Sequence, residues 1–230
     1  MKKLVVLTGA GISAESGITT FRDSGGLWEG HDVMEVASPV GWKKNQALVL
    51  DFYNQRRKQA LSVLPNEAHN ELVRLEDFFD VTIITQNIDN LHERAGSSNI
   101  IHLHGELFKS QSTLDPKLVY EMNGWEIKTG DKCDKGSQLR PFIVWFGENV
   151  PLMETAIEST LKADIFVVIG TSLVVYPAAG LIGYSPKNSP KYIIDIKIPE
   201  VSYFEHLHKI EAPASVGTKI MSEEIISKYA

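Results

Sequence analysis

Two kinds of apolar pattern alternate along the chain. A short unbroken run at residues 4–7 and largely apolar runs at 79–85, 100–103, 142–146, 164–169 and 192–196 suit strands that helices bury on both faces. Between them, apolar positions recur at helical spacing. In residues 45–64, Val49, Phe52, Tyr53, Arg56 and Ala60 return every three or four positions, and the pattern stops before Pro65. Asn66 is placed to cap a following helix that runs through Leu72, Leu75 and Phe78. Further helices are expected at 90–94, 152–163 and 216–229. This rhythm predicts an α/β fold, a Rossmann-like parallel sheet with helices on both faces. Residues 108–140 break it. They are polar and turn-rich, with Leu114, Val119, Tyr120, Trp125 and Ile127 as the few core candidates, so a small inserted subdomain is expected at 106–140 within a single domain spanning 1–230.

The first run leads directly into Gly9-Ala10-Gly11-Ile12-Ser13-Ala14, a G-x-G-x-x-A pattern between a predicted strand and a predicted helix. In that context the glycines allow a tight turn and close approach of the backbone to a pyrophosphate, which predicts dinucleotide binding. A dehydrogenase of the ordinary kind carries an acidic ribose ligand about 20 residues on, at the end of its second strand. Here the next convincing strand begins only at Phe79. A long insertion intervenes. Its first part, residues 16–30, carries Phe21, Arg22, Asp23, Trp28 and Glu29 with Gly25-Gly26 to bend it, and reads as a loop lying over the cofactor.

Polar clusters follow the later strands, where ligands bind in open α/β sheets. Gln86, Asn87 and Asp89 follow one, although Asn87 and Asp89 could equally cap the next helix. His102 and His104 alternate with apolar residues and should share a face, so periodicity does not choose which is the better candidate base. Gly170-Thr171-Ser172 suits a phosphate or ribose, or simply another tight turn.

Charge and cysteine content narrow the class. The 230 residues include 23 basic and 29 acidic ones, a net charge of −6, which argues against a nucleic-acid partner held by phosphate neutralisation and mildly favours lysine-bearing substrates. Cys133 is the single cysteine, so no internal disulfide forms and a cytoplasmic location is expected. The run at 4–7 superficially imitates a signal peptide but breaks at Thr8-Gly9, short of the ~7 to 15 residues of such a segment. No run approaches the ~18 apolar residues of a membrane span.

Several motifs in order carry a resemblance. GAGISAESGITTFR at 9–22, TQNIDNLHERAG at 85–96, His104-Gly105, IVWFGE at 143–148 and GTS at 170–172 together resemble the sirtuins, the NAD-dependent protein deacylases. The resemblance implies that NAD contacts Gly9, Ala10, Gly11, Glu15, Thr20, Phe21, Arg22, Trp28, Gln86, Asn87, Asp89, Gly170, Thr171, Ser172, Asp195 and Ala214. In it, Gln86 holds the ribose, Asn87 and Asp89 orient the nicotinamide, Phe21 shields the reacting centre and His104 is the catalytic base. Asp195 stands where sirtuins commonly carry an asparagine, and residues 212–215 resemble the loop that meets the adenine.

The implied reaction transfers the acyl group of a modified lysine to ADP-ribose and releases nicotinamide. The substrate peptide is expected to pair as an added strand with the backbone around Val144, Phe146, Gly147 and Glu148, with Ile88 also in contact. FYNQRR at 52–57 resembles the Y-x-x-R signature of sirtuins that prefer succinyl- and malonyl-lysine. Tyr53 and Arg56 would share one helix face, and a guanidinium suits an acyl chain that ends in a carboxylate.

The chain also departs from the family pattern. Where sirtuins usually carry a four-cysteine zinc ribbon it has Ser112, Asp115, Cys133 and Gly136, too few ligands for a structural site, so no metal is expected. A nicotinamide oxidoreductase and a catalytically silent ADP-ribose binder are the alternatives. Incubation with NAD and an acyl-lysine peptide separates all three.

Overall fold

The computed structural model describes residues 1–19, 27–28, 30–201 and 204–230. In chain order, β1 (Lys3–Thr8) leads through the glycine turn to a single helical turn, α1 (Gly11–Ala14). A two-stranded ribbon, β2 (Leu27–Trp28) and β3 (His31–Asp32), precedes four helices, α2 (Val33–Val36), α3 (Pro39–Lys44), α4 (Gln46–Ser62) and α5 (Glu67–Leu75). Then come β4 (Asp80–Thr85), α6 (Leu91–Ala95) and β5 (Ile100–His102). Strands β6 (Gly105–Ser112), β7 (Val119–Glu121) and β8 (Leu139–Ile143) form the small sheet. The chain closes with α7 (Met153–Leu161), β9 (Ile165–Ile169), a 3-10 helix (Ala178–Tyr184), β10 (Lys191–Asp195), β11 (Leu207–Glu211) and α8 (Ala214–Tyr229).

The main sheet has six parallel strands in the order β11-β10-β9-β1-β4-β5. Alternation along each strand supplies two apolar faces. Leu4, Val6, Ile83, Val167 and Ile194 pack with Leu72 and Leu75 of α5 and with Met221 and Ile225 of α8. Val5, Leu7, Ile84, Phe166, Val168 and Ile193 pack with Ala156 of α7 and Leu181 of the 3-10 helix. From β1 the chain builds outward to β4 and β5, then crosses to β9 and continues the other way. The reversal falls between the carboxyl ends of β1 and β9, where such folds open a ligand crevice.

Four expectations are corrected. Residues 142–146 do not resume the main sheet: β8 ends at Ile143 and pairs antiparallel with β6, Gly105 opposite Ile143. The sixth strand of the main sheet is instead β11, paired in register with β10. Helix α5 stops at Leu75 rather than reaching Phe78, which is exposed, because Phe79 must turn inward immediately before β4. Helix α8 starts at Ala214, two residues earlier than expected.

The small sheet is fastened to α4 by polar groups as well as apolar ones. Asn54 donates from Nδ2 to the Ile127 carbonyl (3.0 Å) and accepts the Ile127 amide at Oδ1 (2.9 Å). Arg57, fully buried, donates to the carbonyls of Leu107 (2.6 Å) and Trp125 (3.3 Å) and to Asn54 Oδ1 (2.8 Å). Burial lowers the Arg57 pKa to about 10, so it stays charged at neutral pH. At the far end, Ser112 Oγ accepts the amides of Leu114 (3.1 Å) and Asp115 (3.0 Å) and shares a hydrogen bond with Ser137 Oγ, which lies 3.1 Å from Cys133 Sγ. Asp115 is paired with Lys135 (2.8 Å) and Gly136 turns the chain with φ +78°. Hydrogen bonds therefore close the two turns where a zinc ribbon would use thiolates.

Candidate active site

A cavity of about 980 Å³ runs from the β1–β9 crevice, past the carboxyl end of β4, to the junction of α4 with the small sheet. At its floor the two glycine turns touch. A Cβ on Gly9 would come within 2.6 Å of the Thr171 Cβ, and one on Gly11 within 2.6 Å of the Gly170 Cα. Gly170 itself has φ +64°. The amides of Gly9 and Gly11 donate to the carbonyls of Ile169 (3.0 Å) and Gly170 (2.8 Å). These two donors hold the turns together instead of facing a phosphate, so the glycines serve close packing and a smooth backbone surface. Helix α1 spans four residues only.

Around this floor stand several of the sequence-predicted side chains. Gln86 Nε2 donates to Thr171 Oγ1 (3.1 Å), and half-buried Ser172 lies beside it on the cavity wall. Asp195 ends β10 and accepts the Lys197 amide at Oδ1 (2.9 Å). Ala214 opens α8. Glu15 reaches across to that helix, accepting the Ser215 amide (2.8 Å) and hydroxyl (2.7 Å), so it braces the 212–215 turn.

In the middle of the cavity, Asn87 and Asp89 are joined through Ser13. Asn87 Nδ2 donates to Ser13 Oγ (3.2 Å) and to the Gly9 carbonyl (3.1 Å), while Ser13 Oγ donates to Asp89 Oδ2 (3.1 Å). Asp89 Oδ1 also accepts the Leu91 amide at the start of α6 (3.1 Å), so its carboxylate ties that helix as well as Ser13. Burial raises the Asp89 pKa, against the Leu91 amide and the Ser13 hydroxyl, which favour the carboxylate.

The two histidines separate. Strand β5 ends at His102, and the turn that follows sends His104 into the main cavity. A Cβ on Gly105 (φ +84°) would collide with the Phe142 carbonyl, so this turn requires glycine. His104 Nδ1 lies 3.0 Å from the Gln86 carbonyl oxygen. A carbonyl can only accept, so Nδ1 carries the proton and Nε2 presents a lone pair. Burial lowers the His104 pKa, partly offset by that hydrogen bond.

His102 pairs instead with Glu93 (2.5 Å) in a separate cavity of about 240 Å³. There burial opposes its charged form, but Glu93 outweighs burial and raises its pKa. Glu93, His102 and Glu106 form the one group among the described residues with metal-ligand atoms within 4.8 Å of one another, and Lys109 lies against Glu106 at 3.0 Å.

At the far end, Tyr53 and Arg56 of α4 line the cavity together with Ile88, Trp145 and Trp28. Trp28 packs edge-on against Phe52 (5.0 Å) and Tyr53 (6.1 Å), which puts it at this end rather than at the glycine turns. Glu148 forms a two-point ion pair with Arg140 (2.7 and 3.0 Å) and accepts the Trp145 amide (2.8 Å). In the same segment the amides of Val144, Phe146 and Glu148 donate to His104, Ala37 and Trp145 carbonyls. Gly147 (φ +90°), beside the exposed Phe146, is the residue of this segment whose amide makes no hydrogen bond among the described residues. Thr20, Phe21 and Arg22 lie outside the described residues.

Sequence reasoning missed Ser13, Trp145 with Arg140, and the rim formed by Val174, Tyr176 and Ile196. A serine inside a glycine turn that otherwise needs small apolar residues was the available signal for Ser13.

Fold and site define a Rossmann-like α/β protein whose crevice is large enough for a dinucleotide and continues into a second, partly apolar pocket. Residues 9–177 match the Sir2 family, and the chain belongs to it. It is 55% identical over 231 residues to a NAD-dependent protein deacylase of Bacteroides thetaiotaomicron, covering 98% of this chain and 99% of that one. It is 60% identical over 199 residues to a Helicobacter pylori protein of the same description, with 86% of each covered. A solved Sir2 homologue in complex with NAD superposes with a TM-score of 0.89 at 36% identity, over 100% of this chain and 91% of that one.

Proposed function

We propose that the chain is a NAD-dependent protein-lysine deacylase with a pocket suited to acyl groups that end in a carboxylate. The observation that carries this is the single cavity in which the β1–β9 glycine turns, His104 and the Tyr53–Arg56 pair stand in sequence. The crevice fits the cofactor: two turns packed closely at Gly9, Gly11 and Gly170 leave a backbone floor that a Cβ would fill, and the buried amide of Asn87 and carboxyl of Asp89 offer polar atoms deep within it. NAD supplies, when bound, an anomeric carbon that an acyl oxygen can attack as nicotinamide leaves.

The protein groups divide the remaining work. Asn87 and Asp89, tied by Ser13, orient the nicotinamide amide, and Gln86 with Thr171 and Ser172 meets the ribose. Gly9, Ala10 and Gly11 lie under the pyrophosphate, with Gly170 closing the floor. Asp195 and Ala214 meet the adenosine, with Glu15 holding the first turn of α8. His104, its Nε2 free to accept, removes a ribose hydroxyl proton.

The peptide lies along Val144–Glu148 as an added strand, with the Gly147 amide as its donor in that segment. Ile88 contacts the lysine stem, and Tyr53 and Arg56 hold the acyl carboxylate. Retention of His104 at the cavity centre favours turnover over silent binding. The test is to incubate the protein with NAD and a panel of acetyl-, malonyl- and succinyl-lysine peptides. Nicotinamide release coupled to deacylation is expected; NADH formation, or binding without turnover, would overturn the reading.

A further inference from the structure

The Tyr53 hydroxyl has a partner in a segment 92 residues away. Trp145 Nε1 donates to it over 3.1 Å, in a setting where both side chains are essentially excluded from solvent. A phenol has one proton to give and lone pairs to receive. The indole occupies a lone pair, and the Tyr53 proton itself goes to no acceptor among the described residues. That proton is therefore left for whatever enters the cavity that Tyr53 lines.

Trp145 is in turn held firmly. The Arg140 guanidinium lies 3.4 Å from its ring centroid, Trp42 packs at 5.7 Å, and Glu148 fixes its amide while paired with Arg140. Arg140 also donates to the Ile143 carbonyl (2.8 Å), which ties the group to the end of β8.

We propose that Trp145 is a positioning residue for acyl selectivity: its indole N–H fixes the Tyr53 hydroxyl as a donor toward a carboxylate-tipped acyl group. This rests on the acidic-acyl reading above. A hydroxyl left to rotate would spend part of its time aimed elsewhere, whereas one whose lone pair is already engaged meets the carboxylate preorganised. Because Trp145 also belongs to the segment that receives the peptide, one rigid unit sets both the peptide backbone and the far end of the acyl pocket.

The test compares kcat/KM for succinyl- and acetyl-lysine peptides in the wild type, Tyr53→Phe, Trp145→Phe and the double variant, with Arg56→Met as a control. Trp145→Phe is expected to lower the succinyl-to-acetyl ratio about 2- to 10-fold, the range for one neutral hydrogen bond, Tyr53→Phe and Arg56→Met about 10- to 150-fold, the range for one to a charged group, and the Tyr53–Trp145 double variant no further than Tyr53→Phe alone. An unchanged ratio in Trp145→Phe, with the ratio falling in Tyr53→Phe and Arg56→Met, overturns the positioning role and leaves the acyl reading standing. An unchanged ratio in Arg56→Met and Tyr53→Phe overturns the acyl reading and this inference with it. Equal loss on both peptides in Trp145→Phe marks a merely structural role and also overturns it. If Trp145→Phe does not fold, benzothienylalanine at position 145 keeps the bicyclic shape, lacks the N–H and must give the same drop in ratio.

Discussion

His104 Nδ1 sits 3.0 Å from the backbone carbonyl oxygen of Gln86, and this one contact sets what the imidazole can do. It fixes the tautomer without adding a charge, and it comes from the residue whose side chain reaches Thr171. The His104 imidazole and the Gln86 side chain therefore share one backbone anchor.

His104→Ala is expected to lower deacylation by about 10²- to 10⁴-fold, the usual contribution of a general base, while NAD affinity is retained. His102→Ala should be far milder, since His102 faces Glu93 in the neighbouring cavity. The pH profile gives a second check. Burial lowers the His104 pKa, and a base must be neutral to act, so the acid limb of kcat/KM should fall below the ordinary histidine value of 6.5. A dead His102→Ala enzyme with an active His104→Ala one would reverse the assignment.

Stability should depend on pH through a different pair. His69 and His92 are buried with ring centroids 5.0 Å apart, and burial lowers both pKa values, that of His69 to about 4. The unfolded chain binds these protons near pH 6.5 and the folded chain does not. Their stabilisation is thus complete above pH 6.5 and is lost as pH falls toward 4, by roughly 3 kcal/mol for His69. Denaturant titrations at pH 8 and pH 5 should show about 2 kcal/mol of that loss. His69 Nδ1 accepts the Asn66 amide in a capping box, so His69→Gln keeps an acceptor there and should flatten the pH dependence.

Much of this architecture was legible locally. Strands β1, β4, β9 and β10 announced themselves because a strand covered on both faces needs a largely apolar run. Strand β11, LHKIE at the sheet edge and only half-buried, has no such run and was invisible. Strand β8 was seen but assigned to the wrong sheet, since local pattern carries no record of which strand is the partner. The same holds within the site. The glycine turns and His104 are sequence-local features, whereas the Trp145–Tyr53 and Arg57–Leu107 contacts join distant segments. Arg57, whose burial nothing in its neighbourhood signalled, is the clearest case.

The small sheet should not depend on zinc. Its turns are closed by Ser112, Ser137 and Cys133, and its base by Asn54 and Arg57, so chelator is expected to leave the melting temperature unchanged and elemental analysis to find no stoichiometric zinc. Asn54→Ala would leave the buried backbone groups of Ile127 unpaired and should cost about 2 to 4 kcal/mol in denaturant unfolding. One zinc per chain, or a chelator-induced fall in melting temperature, would contradict this account.

Arg56 supplies the sharpest test of substrate class. It is half-buried on the same face of α4 as Tyr53, and both line the cavity beyond His104. A carboxylate-tipped acyl chain that reaches the guanidinium gains a charge-assisted hydrogen bond worth roughly 1.5 to 3 kcal/mol, which an acetyl group lacks. Realised in the transition state, that is about 10- to 150-fold in kcat/KM. Succinyl-lysine peptides should therefore be turned over at least as well as acetyl-lysine ones, and Arg56→Met should lower the succinyl-to-acetyl ratio by a factor in that range. Methionine keeps the apolar stem and removes only the charged head, so a change confined to the succinyl substrate reports the guanidinium itself. Equal losses on both substrates would make Arg56 a structural residue and withdraw the acidic-acyl assignment, while leaving His104 and the NAD-dependent deacylation it serves untouched.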